Sequence, residues 1–397
     1  MIIFDENPIR RGKNSLKWDG VREVFKTEKE DIIPMWVADM DFEISDIIRD
    51  SIMYSLDIGE FGYLNNTLEL RNGFIDYFKK KNNYDITKIN IFFTIGVIAS
   101  IKLCIKELTQ KGDKILVNTP AYHSFFDAIK YNDREIVDSK LLNIDNKYYF
   151  DFNDIEINFK NGVKYMILCN PHNPTGRAWS REELSTLGKL CIKYKVTVIS
   201  DDIHSDIIFE NSEYTPFFTI SKDVAELCIT CMSPSKTFNI PGISGATVII
   251  NNNILAEKFN RAIKSSSIGL KNIFSVNSML YAYKYGAEWV KELNKYLNNN
   301  YNFLVEFMRK NIKEAIITRS ESTYLVWIDF TKLNLNKNEL YDLIVNNCNV
   351  ALSKGEDFGN GYELYMRLNI GCCRENLRVA LERLKDGIGG LKSEVRI

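Results

Sequence analysis

Short apolar runs recur along this chain at 89–95, 114–118, 164–169, 196–200, 227–232 and 246–250. Helical patterns separate several of them, as at 97–109 and 181–194. A run that is apolar at nearly every position is buried on both faces, so these segments predict a mainly parallel sheet with helices on either side. At 397 residues the chain exceeds what one hydrophobic core usually organises, and two domains are expected. The α/β pattern assigns 45–284 to a large domain. A linking helical region follows at about 281–309, then a strand at 323–329 and a helix at 374–386. These predict a smaller α+β domain over 285–397, with residues 1–44 folding alongside it.

Ligands of open α/β sheets bind beyond the carboxyl ends of the strands, and several predicted strands here run into unusual strings. Ser233-Pro-Ser-Lys-Thr-Phe-Asn-Ile-Pro-Gly242 sets Lys236 between hydroxyls and a glycine turn. Such a lysine is either a solvated surface residue or an amine placed to form a Schiff base with pyridoxal phosphate, with Ser233 and Ser235 bonding the phosphate. Asn170-Pro-His-Asn-Pro-Thr-Gly176 is a proline-stiffened strand end that can hold the Asn173 amide against the cofactor's phenolic oxygen. Asp201, at the end of Val196-Thr-Val-Ile-Ser-Asp201, is either a helix N-cap or the anion that keeps a pyridine nitrogen protonated. In Thr119-Pro-Ala-Tyr-His-Ser124, Tyr122 is either a packed aromatic or a ring stacked on the cofactor. The turn Thr94-Ile-Gly-Val-Ile-Ala-Ser100 points the amides of Gly96, Val97 and Ile98 from a helix N-terminus, where a phosphate can sit. A covalent lysine, an oxygen ligand, a nitrogen counter-ion and a stacking ring together make a pyridoxal phosphate site.

With these strings the chain resembles the fold-type I pyridoxal phosphate enzymes of the class I/II aminotransferase superfamily. The resemblance implies an α/β fold with a large, mainly parallel seven-stranded α/β/α domain and a smaller α+β domain. Lys17-Trp-Asp-Gly20, Ile33-Pro-Met-Trp-Val-Ala-Asp-Met-Asp-Phe42, Phe61-Gly-Tyr63, Asp201-Asp-Ile-His204 and Arg367-Leu-Asn-Ile-Gly371 are similar to strings of the MalY/PatB-type cystathionine β-lyases, or C–S lyases. It further implies that Tyr63 reaches the cofactor phosphate of a partner subunit, giving a homodimer with shared active sites. Two positions depart from typical aminotransferases: Ser244 stands where many carry an arginine, and His204 where they usually carry a tyrosine. Both favour the lyase subfamily and leave phosphate binding to amides, Ser233, Ser235 and Tyr63.

Arg367 lies in the apolar stretch Leu364-Tyr-Met-Arg-Leu-Asn369. A guanidinium there needs an anion, either a structural carboxylate or the α-carboxylate of an amino-acid substrate, which its fork matches bidentately. The resemblance implies the second, assisted by Asn173 and the backbone near Ala38, while Trp36 bears on side-chain selection. The expected reaction is α,β-elimination from a cysteine S-conjugate such as cystathionine, giving thiol, pyruvate and ammonia. In it Lys236 moves the Cα proton, and Tyr122 assists either the lysine or the leaving sulfur. An aminotransferase would use the same residues. A third reading, a cofactor-loaded regulatory protein that binds a partner, finds no appended interaction domain.

A formal net charge of −1, from 51 basic and 52 acidic residues, gives no nucleic-acid footprint. The N-terminus lacks the pattern of a signal peptide, and no apolar run approaches a membrane span, so a cytoplasmic protein is expected. Eight cysteines lie scattered through apolar segments. Cys228-Ile-Thr-Cys231 sits within a predicted strand without a second pair, so core thiols are expected rather than zinc or redox chemistry. His123, His172 and His204 all neighbour the site strings, none at metal-ligand spacing, and no metal is expected.

Overall fold

The computed structural model describes residues 4–6, 8–65 and 67–394. Its principal sheet has seven strands: β1 (Asn90–Thr94), β2 (Lys114–Val117), β3 (Glu135–Asp138), β4 (Tyr165–Cys169), β5 (Thr197–Asp201), β6 (Cys228–Met232) and β7 (Ala246–Ile250). They lie in the order β1-β7-β6-β5-β4-β2-β3, and all neighbours are parallel except β7, which runs antiparallel to β1 and β6. The edge strand β3 carries partly exposed Ile136 and Val137 between exposed Glu135 and Asp138, so it lacks the continuous apolar signature of its neighbours.

Alternate residues of the central strands feed opposite cores. Met166 and Leu168 pack with Phe74, Phe159, Leu187 and Met279 on one face. Ile167 and Cys169 pack with Ile101, Phe125 and Phe259 on the other. Period-2 alternation combined with apolar residues at every position is what a doubly covered strand requires. Burial of a single leucine-sized side chain contributes about 1.5–3 kcal/mol, so the two layers hold the strand ends in place.

A second sheet comprises β8 (Ile316–Ile317), β9 (Leu325–Asp329), β10 (Ser353–Lys354) and β11 (Tyr365–Asn369), antiparallel in the order β8-β9-β11-β10. Helices Ala287–Asn311 and Arg374–Glu394 contribute Leu297, Leu304, Leu377 and Leu381 to its core. Residues 33–34 pair in parallel with 350–351. The chain then runs from there along β11 to the principal sheet.

That run is held by buried polar groups. Asn369 donates to the carbonyls of Val37 and Asp39, both at 2.6 Å. Asn239 donates to those of Met40 and Phe42 and accepts from the Met40 amide. Lys17, fully buried, reaches Asp41 at 2.9 Å, and Trp18 donates to the same carboxylate. These contacts give the Lys17-Trp-Asp-Gly20 and Trp36–Phe42 strings a structural role: they lock one segment, 36–42, across the mouth between the sheets.

Candidate active site

The carboxyl ends of β2, β4, β5 and β6 open on one cavity of about 260 Å³. Register places Asp201 beside Cys169 on one side and Cys231 on the other, so the loops that follow these strands converge. Asn173, Asp201, His204, Ser233, Ser235 and Lys236 all face the cavity, as do Ala38 and Tyr122. The loop after β4 contains cis peptide bonds at Asn170–Pro171 and Asn173–Pro174.

Lys236 donates from Nζ to the carbonyl of Ala38 at 2.6 Å. Burial lowers its amine to about 8; Arg367 pushes the same way, while Asp39 and Asp201 oppose. Asp201 is buried, and burial raises its carboxyl to about 7 against the Ile203 amide bond and the charge of Lys236. Its Oδ1 accepts from the Ile203 amide at 3.1 Å. A turn follows rather than a helix, which removes the N-cap role. An acid so placed is waiting for a cation, because ionisation is costly only while the charge has no partner.

Arg367 is buried, and among the described residues it forms no ion pair with a carboxylate. Its Nη1 donates to Asn173 Oδ1 at 3.0 Å, and Nη2 to the Trp36 carbonyl at 2.9 Å and Ser353 Oγ at 3.1 Å. Nε has no partner. Burial lowers the guanidinium to about 10, still charged at neutral pH. A structural salt bridge therefore does not account for it. Asn173 accepts from the arginine with its oxygen, which turns its NH₂ group away from Arg367 and leaves it as a donor.

Gly96 is the N-cap of helix Val97–Leu108, in an extended conformation with no side-chain cap, and open space lies where its Cβ would be. The first amides of a helix have no acceptor within it, and here Gly96, Val97 and Ile98 line the cavity. Ser233 donates to the Gly245 carbonyl at 2.7 Å, which commits its one proton. Ser235, 2.9 Å from Ser233, keeps the hydroxyl that can turn to an anion. Ser244 lines the same wall, and among the described residues Lys236 is the one cationic side chain lining this cavity.

The histidines differ. His204 is buried with Nδ1 unpartnered; burial, with help from Lys236 and Arg367, lowers it to about 3, so the ring is neutral. His172 is also held near 3 by burial and bonds Thr175 at 2.8 Å. Among the described residues no group of three His, Cys, Asp or Glu side chains could hold a metal. All eight cysteines are buried and free. Tyr63 is fully exposed and lines neither this cavity nor its neighbour.

Trp36 lies in that neighbouring cavity, of about 460 Å³, which shares Ala38, Tyr122 and Lys236 with the first and adds Arg367. Two contributors escaped the sequence reading. Tyr324, buried, donates to the Ala38 carbonyl at 2.9 Å, directed by Thr323, which adopts φ 66° and bonds its hydroxyl to Leu325. A β-branched residue in left-handed conformation leaves no periodic signal to read. Asn369 sits two residues beyond Arg367 on the same face of β11, so strand alternation was the signal that could have found it.

The donor set fits a pyridoxal phosphate: a buried acid without a cation, an amine held near neutrality, a free amide donor and unpaired helix amides around one cavity. The family model for aminotransferase class I and II matches residues 41–384. The chain is 36% identical over 383 residues to cystathionine β-lyase PatB of Bacillus subtilis, covering 96% of this chain and 98% of the relative. It is 29% identical to the protein MalY of Escherichia coli, covering 100% and 99%. Among solved structures, a pyridoxal phosphate-bound protein of Clostridium difficile superposes with a TM-score of 0.94 at 36% identity, covering 98% of this chain and 100% of that one. Cystalysin from Treponema denticola, which contains pyridoxal 5′-phosphate, also gives 0.94, at 29% identity and the same coverage.

Proposed function

The chain belongs to the aminotransferase class I and II family, and from that premise we propose that it is a pyridoxal phosphate-dependent C–S β-lyase. It cleaves cystathionine or related cysteine S-conjugates by α,β-elimination to thiol, pyruvate and ammonia. Similarity to the cystathionine β-lyases of Bacillus subtilis and Corynebacterium glutamicum and to the C–S lyase of Staphylococcus hominis supports elimination over transamination. The observation that carries substrate binding is Arg367: a buried guanidinium without a carboxylate, opening on the cavity that contains Lys236.

When bound, pyridoxal phosphate supplies an aldehyde for covalent attachment and a ring that takes up the electron pair of the Cα–H bond. Lys236 holds it, and then takes the proton from Cα; an amine near 8 is close to the ideal for such transfer at neutral pH. Asp201 keeps its negative charge once a protonated ring nitrogen faces it, and so keeps that nitrogen protonated. The Asn173 NH₂ would donate to the phenolic oxygen, and Tyr122 and the neutral His204, which line the same cavity, would hold the ring. Amides of Gly96, Val97 and Ile98 and the Ser235 hydroxyl would receive the phosphate, while Ser233, its proton on the Gly245 carbonyl, stands 2.9 Å from Ser235 and positions it. Arg367 holds the α-carboxylate with Asn173 and the backbone at Ala38, and Trp36 borders the side chain beyond. In this reading 45–284 carries the cofactor, while 1–44 and 285–397 supply Trp36, Ala38 and Arg367.

The active unit is a homodimer. Met53, Tyr54, Leu56, Phe61, Tyr63 and Leu68 are all exposed apolar or aromatic side chains, and a second copy covering them would bring its Tyr63 to the phosphate. Eight unpaired buried thiols suit the cytoplasm. Among the described residues no helix is long and apolar enough to cross a membrane.

The deciding experiment gives purified, cofactor-loaded protein L-cystathionine without a keto acid and measures pyruvate and ammonia. Many turnovers per site establish the lyase. Turnover that begins only when a keto acid is added identifies an aminotransferase instead.

A further inference from the structure

Lys236 and Thr237 are neighbours in the chain, and their side chains go to different places. Lys236 lines the cavity, whereas Thr237 is fully buried and lines neither cavity. Thr237 Oγ1 donates to Asp206 Oδ2 at 3.0 Å, and its carbonyl accepts from Trp289 Nε1 at 2.8 Å. Asp206 belongs to the other loop, the turn after β5 that carries Asp201 and His204. In that turn the Ser205 amide donates to the Asp202 carbonyl at 3.0 Å and the Ile207 amide to the His204 carbonyl at 2.9 Å. Asp206 Oδ1 receives the Tyr77 hydroxyl and the Lys81 ammonium, and Asn294 donates to the Asp206 carbonyl at 2.8 Å. Lys81 also reaches the Ser205 carbonyl at 2.9 Å and lies 5.2 Å from the Tyr214 ring. Burial works against the Asp206 charge, yet Lys81, Tyr77 and Thr237 outweigh it and hold the carboxyl below its ordinary 3.8. A buried anion with both oxygens occupied cannot shift without leaving donors unpaired, which is costly.

We propose that Asp206 and Thr237 are positioning residues for Lys236. The carboxylate ties the loop after β6 to the turn after β5, and so sets where the lysine amine stands relative to Asp201 and His204. Resting on the lyase reading, in which Lys236 takes the Cα proton, this gives turnover a determinant that never touches the substrate. The lysine stem is flexible, so its hydrogen bond to Ala38 fixes the amine only while the backbone beneath it is fixed. A misplacement of about 1 Å is enough to slow a reaction steeply. Asp206 itself carries no proton in this scheme, because it is ionised and lines neither cavity.

The test compares the wild type with Thr237→Val, which keeps the side-chain shape and removes the hydroxyl, and with Thr237→Ser, which keeps the hydroxyl. Two readouts are taken: kcat and KM for pyruvate release from L-cystathionine by the cofactor-loaded protein, and the pH midpoint of Lys236 acylation in the cofactor-free protein. Thr237→Val should lower kcat about tenfold or more with KM little changed. It should also move the midpoint upward from near 8, as the freed amine reaches water. Thr237→Ser should recover most of both. Asp206→Ala should reproduce both changes, and adding Thr237→Val to it should increase neither, since the two residues act through one contact. If Asp206→Ala does not fold, the Thr237 variants decide. A midpoint that stays at the wild-type value, a Thr237→Ser that recovers neither readout, or a loss confined to KM or to unfolding stability would overturn the assignment. If the wild type releases no pyruvate the lyase reading fails, and the midpoints alone still decide whether Asp206 and Thr237 position Lys236.

Discussion

Lys236 and Tyr324 donate to the same oxygen, the carbonyl of Ala38, at 2.6 and 2.9 Å. Two donors from different sheets thus meet on the segment that Asn369 and Asn239 clamp in place. The lysine's position is set from both sides of the cleft.

Replacing Tyr324 with phenylalanine keeps the ring and removes one donor. We expect kcat to fall a few-fold with KM little changed, and stability to drop by about 1 kcal/mol, the net value of one buried hydrogen bond. Steady-state kinetics and urea unfolding read both. A change confined to KM would show that Tyr324 acts on substrate binding rather than on Lys236.

Lys236→Ala should lower turnover by ~10³-fold or more, since it removes both the covalent anchor and the proton carrier. The fold should persist, measured by circular dichroism, because among the described residues Lys236 forms no ion pair. Appreciable pyruvate release by this variant would reassign the base.

In the protein stripped of cofactor, Lys236 should be labelled by an amine-acylating reagent with a midpoint near pH 8, where an ordinary lysine titrates near 10.5. Burial is the main cause and Arg367 adds to it, so Arg367→Met should move the midpoint upward. Labelling that rises only above pH 10 would show that the amine is solvated.

Asp201 and Asp202 are both raised to about 7 by burial. Between their ordinary value of 3.8 and that point, the folded cofactor-free protein binds more protons than the unfolded chain. The stability these two acids contribute therefore falls as pH rises through this window. His172 and His204, lowered to about 3, work in the opposite sense up to about pH 6.5, so the acids show in a comparison: between pH 5 and pH 8 the melting temperature of cofactor-free Asp201→Asn should rise more, or fall less, than that of the wild type. Parallel pH profiles for the two proteins would contradict the burial of Asp201.

Lys17→Met should cost about 3 kcal/mol, because it removes the buried cation 2.9 Å from Asp41 and leaves Arg10, at 3.9 Å, to face that carboxylate. Chemical denaturation measures it. A loss below about 1 kcal/mol would mean that water reaches Asp41.

The sequence by itself determined the class I/II fold and the order of its central strands' chemistry. Six of the seven principal strands announce themselves because a doubly buried strand is apolar at every position, and Lys236, Asp201 and Asn173 follow directly on three of them. The remaining strand, Glu135–Asp138, is an edge with two exposed ends, so burial wrote no such pattern there. Tertiary structure alone decided that Arg367 lacks a carboxylate and that Ser233 spends its proton on Gly245. It alone placed Tyr324 on Ala38. These are relations between residues far apart in the chain, set by how two sheets meet. Local periodicity records only which side of its own strand or helix a residue buries.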